Sequence, residues 1–351
     1  MRRVLGAWLL ALVSATAFGQ APERTLKPGD PAPPFRVDKF LKGTPITAIE
    51  PGTIYVIEFW ASWCGPCVQS MPYLSALQRE FKDNKVVICG VSLWEEQPVT
   101  ADTCATVEAY VARRGNTMDY RIAFDGPAGH MEKQWLRASG GPGLPWTMIV
   151  GPDGKLAWVG HATQAGEVLD LLTSGRWDPV QGPAALKTAR TQFKEAFAKY
   201  KEGFAAGEAA WAAAAAAHPR LARMQGADRV GAMLAAGHDE AAFAAGRELV
   251  ATVKASGDPT AAQNMMVHLA AHPRRSGDEY KALHLSAAEV VFALSDPEES
   301  APHIVLARAY FATGNMEKGR AEAQAALARA KPEVRAATER FLREIEESFS
   351  K

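Results

Sequence analysis

Cys64 and Cys67 stand two residues apart, with Gly65-Pro66 between them. A thiol pair at this spacing exchanges with disulfides through its thiolate. An apolar, β-branched run, Ile54-Tyr55-Val56-Ile57, comes before the pair, and Val68 to Leu77 has helical spacing. That context puts Cys64 at a helix N-terminus, where unpaired N–H groups and the helix dipole stabilise negative charge. Cys67, one turn in, is expected to be the more buried thiol. Cys64 then attacks a client disulfide, and Cys67 resolves the mixed disulfide. The competing use is a zinc half-site, but Cys89 and Cys104 are wrongly spaced to complete one. No metal or cofactor is expected. Glu58 lies six residues before Cys64 in a run that otherwise reads as core. A buried carboxylate is costly unless paired or neutral, so Glu58 either sits inside as a special group or faces outward at a strand edge.

These residues need a frame. Pro28 to Phe35 is a proline-fixed, extended lead-in. Arg36–Phe40 and Thr44–Thr47 are expected to form a short hairpin around Lys42-Gly43. Ile54–Phe59 reads as a central strand, and the cysteine motif opens a helix to about Phe81 with Pro72 inside it. Val86–Ser92 suits a buried strand parallel to the first. A helix from about Val99 to Arg114 follows, then a turn at Phe124-Asp125-Gly126. Trp146–Val150 and Lys155–Gly160, around Pro152-Asp153-Gly154, read as an antiparallel hairpin, with a last helix over Gly166–Thr173. This order implies an α/β fold, a mixed sheet with helices on both faces.

Trp63-Cys64-Gly65-Pro66-Cys67 after a strand, with Leu144-Pro145-Trp146-Thr147 before a hairpin, resembles the thioredoxin fold. The Gly29-Asp30-Pro31-Ala32-Pro33 lead-in and the N-terminal segment narrow the resemblance to the exported TlpA/ResA-like thiol–disulfide oxidoreductases. It covers roughly residues 27 to 175. The resemblance implies catalytic roles for Cys64, Cys67, Glu58 and Pro145. Glu58 would be the acid/base for Cys67, through water. Pro145 would be the cis-proline facing the dithiol, aiming the Leu144 backbone at the client chain. Gly65-Pro66 implies a reducing potential. Trp63, Gly65, Pro66, Leu144 and Trp146 are the expected client-binding residues. Trp146 departs from the small residue usual in the family and would narrow the groove. A membrane dithiol donor is implied for re-reduction.

The chain has 351 residues, enough for two domains, and 39 basic side chains balance 39 acidic ones. That balance gives no electrostatic basis for a nucleic-acid partner. Arg2-Arg3, an apolar Val4–Val13 and the small Ala17-Phe18-Gly19 read as a signal peptide over residues 1–19, with export to a periplasm-like, oxidising compartment. Residues 20–175 form the expected thioredoxin-like domain, 176–183 a linker, and 184–351 an alanine-rich helical domain. Gly237, Gly277 and Gly314, spaced by 40 and 37 residues, mark helix–turn–helix repeats, the last resembling a tetratricopeptide unit. Such an arm would bind a peptide or protein ligand. Two functions follow: a reductase of client protein disulfides, or an adaptor in which the repeats bind a partner and the dithiol gates binding.

Overall fold

A computed structural model of the chain describes residues 25–95, 99–271 and 277–349, so the expected signal peptide lies outside the described residues. Among them no helix is long and apolar enough to cross a membrane.

The first half is built on a six-stranded sheet. Its strands are β1 (Lys39–Lys42), β2 (Ile54–Trp60), β3 (Val86–Ser92), β4 (Arg121–Phe124), β5 (Trp146–Val150) and β6 (Leu156–Gly160), arranged in the order β1-β4-β3-β2-β5-β6. Strands β2, β3 and β4 run parallel, while β1, β5 and β6 are antiparallel to their neighbours. Helix α1 (Gly65–Glu80) leaves β2, α2 (Ala101–Arg114) follows β3, and α3 (Ala165–Thr173) follows β6. All seven residues of β2 are buried. Its alternation divides the core: Ile54, Val56 and Trp60 pack with α1, whereas Tyr55, Ile57 and Phe59 pack on the other face with Met131, Trp135 and Met148.

Two local expectations change. There is no hairpin around Lys42-Gly43: β1 pairs with β4 instead, and residues 44–47 are not a strand. Pro45 offers no N–H to a ladder, and the neighbouring Ile46 is buried in the core. Phe124 also ends a strand rather than only opening a turn. The four-residue β4 joins β3 to the edge strand β1.

The rest of the chain is helical. Helices α4 (Gly182–Lys199), α5 (Phe204–Ala217), α6 (Pro219–Met224), α7 (Gly226–Ala235) and α8 (Asp239–Ser256) are followed by α9 (Thr260–Ala271) and α10 (Asp278–Ala293). Then come α11 (Ser300–Ala312), α12 (Met316–Arg329) and α13 (Pro332–Phe349). Gly237 and Gly314 adopt φ of +82° and +79° at the α7–α8 and α11–α12 turns, which favours glycine there. Gly319 lets α12 close on α11: a Cβ there would stand 2.4 Å from the Phe311 ring.

The helical region is fastened to the sheet region by buried arginines. Arg220 of α6 donates two hydrogen bonds to Glu80 at the end of α1 (2.6 and 3.0 Å) and two to Asp170 of α3. Its guanidinium also lies 5.0 Å over the Phe81 ring. At the other end, Arg114 of α2 reaches Glu299 at 2.6 Å and Asp296 at 3.5 Å. Arg220 is only 8% exposed, so removing it strips two carboxylates of a shielded partner. Arg220→Ala should cost about 2 kcal/mol, read from the urea midpoint. The neighbouring Arg223, 55% exposed and 3.6 Å from Glu80, should cost under about 0.5 kcal/mol on the same substitution.

Candidate active site

Strand β2 ends at Trp60, and four residues later Cys64 is the N-cap of α1. Its Sγ accepts the backbone N–H of Cys67 at 3.3 Å, and Pro66 occupies the first turn, where a missing N–H costs nothing. Cys64 and Cys67 are joined as a disulfide with 5.3 Å between Cα atoms, so the structure holds the oxidised form. Cys64 is 4% exposed and Cys67 fully buried; Gly65 and Pro66 are exposed. Trp63 is the most exposed aromatic beside the pair, at 57%.

Glu58 has no solvent exposure. It lies between Val56 and Trp60 in the alternation of β2 and so faces α1, the side on which Cys67 packs. Neither carboxyl oxygen has a hydrogen-bond partner. Burial pushes its pKa well above the ordinary glutamate value. The nearby Ser70 hydroxyl opposes that rise, but it donates to the Cys67 carbonyl at 2.9 Å rather than to the carboxyl. Around Glu58 lie other buried polar atoms without partners: Thr147 Oγ1, opposite it on β5, with Trp60 Nε1 and Tyr120 Oη. Gly90, opposite Glu58 on β3, leaves room for the last two of these. A Cβ there would come within 3.1 Å of Trp60 Nε1 and 3.2 Å of the Tyr120 ring.

The Leu144–Pro145 peptide is cis and leads straight into β5, whose Trp146 pairs with Phe59. Leu144 packs against both faces of the core. Trp146 turns the other way. It packs with the core on the sheet face away from α1 and donates its indole N–H to Ser139 at 3.1 Å. The structure thus gathers Cys64, Cys67 and Glu58 on one face, with Trp63, Gly65 and Pro66 at the rim, and keeps the Trp146 ring apart from them.

One group escaped the sequence reading. Glu95, 7% exposed, accepts the Ser62 N–H at 2.9 Å, the Ser62 hydroxyl at 2.7 Å and the Ser92 hydroxyl at 2.7 Å. Next to it, Trp94 adopts φ of +57° and its carbonyl accepts the Trp63 indole N–H at 2.7 Å. A bulky residue in that region is strained, and here the bend grips both residues that precede Cys64. A buried acid following a core strand was the available signal. Cys89 and Cys104 are free thiols, and burial pushes the Cys89 thiol far up, which makes it inert.

Residues 27–168 match the redoxin family model. The protein FixW of Rhizobium leguminosarum is 33% identical over 153 residues, covering 44% of this chain and 69% of FixW. The chain belongs to the redoxin family of thioredoxin-fold thiol–disulfide oxidoreductases. The thiol–disulfide oxidoreductase ResA of Oceanobacillus iheyensis is 32% identical over 94 residues, 24% of this redoxin and 49% of the ResA chain. The redoxin therefore spans about half the length of that relative. A solved thiol:disulfide interchange protein of the thioredoxin family, from Chlorobium tepidum TLS, aligns with a TM-score of 0.32 at 20% identity. It covers 41% of this redoxin and 96% of its own chain.

Two measurements test this geometry. Because burial raises the Glu58 pKa, the folded redoxin holds that proton more tightly than the unfolded chain. The stability this adds is complete below about pH 4.5 and is lost as pH rises through the folded-state value. Glu58→Gln keeps the volume and removes the titration. Its stability relative to the parent should therefore improve steadily from acid to neutral pH, whereas a constant offset would mean that Glu58 does not titrate in the fold. Glu95→Ala leaves one amide and two hydroxyls without their acceptor. It should cost about 2 kcal/mol and change the alkylation rate of reduced Cys64.

Proposed function

We propose that this redoxin is an exported protein-disulfide reductase, active in a periplasm-like compartment. The observation that carries the proposal is the Cys64–Cys67 pair at the start of α1, placed on the same sheet face as a partnerless buried carboxyl. In the reduced form the Cys64 thiolate is stabilised by the N-terminal N–H groups of α1, including that of Cys67. It attacks one sulfur of a client disulfide, bonds to it, and releases the other sulfur as a thiolate. Cys67 then loses its proton and attacks Cys64. The Cys64–client bond breaks, the second client thiolate departs, and the Cys64–Cys67 disulfide forms. The client gains two electrons and the redoxin loses two. A dithiol carrier in the membrane returns them.

Glu58 supports the resolving step as the group that takes and returns the Cys67 proton, through an ordered water. Burial makes this carboxyl hold its proton more tightly than an ordinary glutamate, as a group that returns a proton must. The Leu144 backbone, held by cis-Pro145, offers the client main chain a strand partner, and Trp63 offers an apolar contact. The helical region acts as a tetratricopeptide-like module that holds the client.

Turnover in insulin reduction with a dithiol donor tests the enzyme against the adaptor reading, in which the dithiol changes state without turning over. Cys64→Ser should abolish turnover. Cys67→Ser should accumulate the mixed disulfide, visible on a non-reducing gel. Glu58→Gln should slow release of the mixed disulfide by about tenfold at pH 7, with little effect on its formation. Equal loss in both steps would remove Glu58 from the proton transfer.

A further inference from the structure

Pro66 and Glu80 stand exposed at the two ends of a stripe of α1 whose middle, Ser70, Tyr73 and Leu77, is buried where it faces the helical region. Between the stripe and the helical region lies an open trough of about 550 Å³. It begins at Pro66, between the two cysteines, and ends at Glu80, where Arg220 ties the two halves together. Its far wall is α8 and α9, and one side is the turn that leads into α3. Arg190 closes that side by reaching Glu167 at 2.7 Å.

Two properties mark the trough as a binding site rather than a packing gap. The first is its chemistry. Gln69 on α1, Gln164 before α3, and Gln263 with Asn264 on α9 all line it, and among the described residues none of these side-chain amides has a hydrogen-bond partner. Each amide carries both donors and an acceptor, as a polypeptide backbone does, and none carries a charge. Two arginines in the walls, Arg220 and Arg190, are engaged by carboxylates, and the third, Arg223, stands 3.6 Å from Glu80. The second is its dimension. Pro66 to Glu80 is fourteen helical steps, about 21 Å at 1.5 Å per residue. About six residues of extended chain span that length.

We propose that the trough holds an extended segment of the client polypeptide, about six residues on one side of the cysteine that bonds to Cys64. The occupant follows from continuity with the dithiol: a chain tethered at Cys64 lies two residues from Pro66, which is exposed and lines the trough. The helical region would then read main chain beside the reacting bond, which suits clients that are locally unfolded. This inference rests on the reductase reading, and the test separates the two.

The full chain carrying Cys67→Ser is reduced and mixed with thiopyridyl disulfides of a doubly capped cysteine, or of the same cysteine preceded or followed by two, four, six or eight residues. Cys64 bonds to the peptide sulfur and pyridine-2-thione leaves, which absorbance records; a chain with Cys64→Ser as well gives the blank. We expect extension on one side only to raise the rate by about tenfold, rising to six residues and then levelling. In the Asn264→Trp background, where the indole fills the trough from α9, that length advantage should disappear. A capped cysteine that fails to react would overturn the dithiol reading itself. Reaction with no dependence on length, or equal gains on both sides, would overturn the trough alone. So would a length advantage that survives Asn264→Trp in a chain with unchanged circular dichroism.

Discussion

Strand β2 is hydrogen-bonded to β3 on one side and β5 on the other, and every one of its residues is buried. This double pairing fixes the rest of the active half. With the register set, Glu58 must face α1, and the loop after Trp60 must deliver Cys64 to the start of that helix. The same pairing aligns β5, so that cis-Pro145 enters the sheet beside the end of β2. A slip of one residue would send Glu58 to the opposite core and Phe59 under the dithiol. The site is thus a consequence of strand register more than of any contact between its own side chains.

The helical region adds a second constraint. Its arginine ties use Glu80 and Asp170 for Arg220, and Asp296 and Glu299 for Arg114. Between those ties the trough runs along α1, over the buried Ser70, Tyr73 and Leu77. A continuous apolar interface would have closed the trough. Polar ties at the ends hold the walls apart while still fixing their spacing.

Much of the active half was legible because its signals are local. The β-branched run of β2, the cysteine motif opening α1 and the turn between β5 and β6 each declare themselves within a few residues. Strand β4 did not, since it has only four residues and begins with the charged Arg121. Residues 44–47 misled because alternation near a Gly suggests a hairpin, while Pro45 and the burial of Ile46 decide otherwise. Glu95 escaped notice for another reason. Its three partners lie on β3 and on the loop before Cys64, and only the folded sheet brings them together. The turn glycines suggested the helix pairs, but the sequence carried no sign that the helices would lie along α1.

Gly90 shows how a site can depend on an absence of atoms. A strand buried in the middle of a sheet ordinarily favours branched side chains, which fill space on both faces. Here a glycine stands instead, and the space a Cβ would take is bordered by the Trp60 indole and the Tyr120 ring. Substitution by alanine, usually the mildest change, would press a methyl against Trp60 and Tyr120. The room around Trp60 and Tyr120, beside the buried Glu58, is therefore set by a neighbour that has no chemistry of its own.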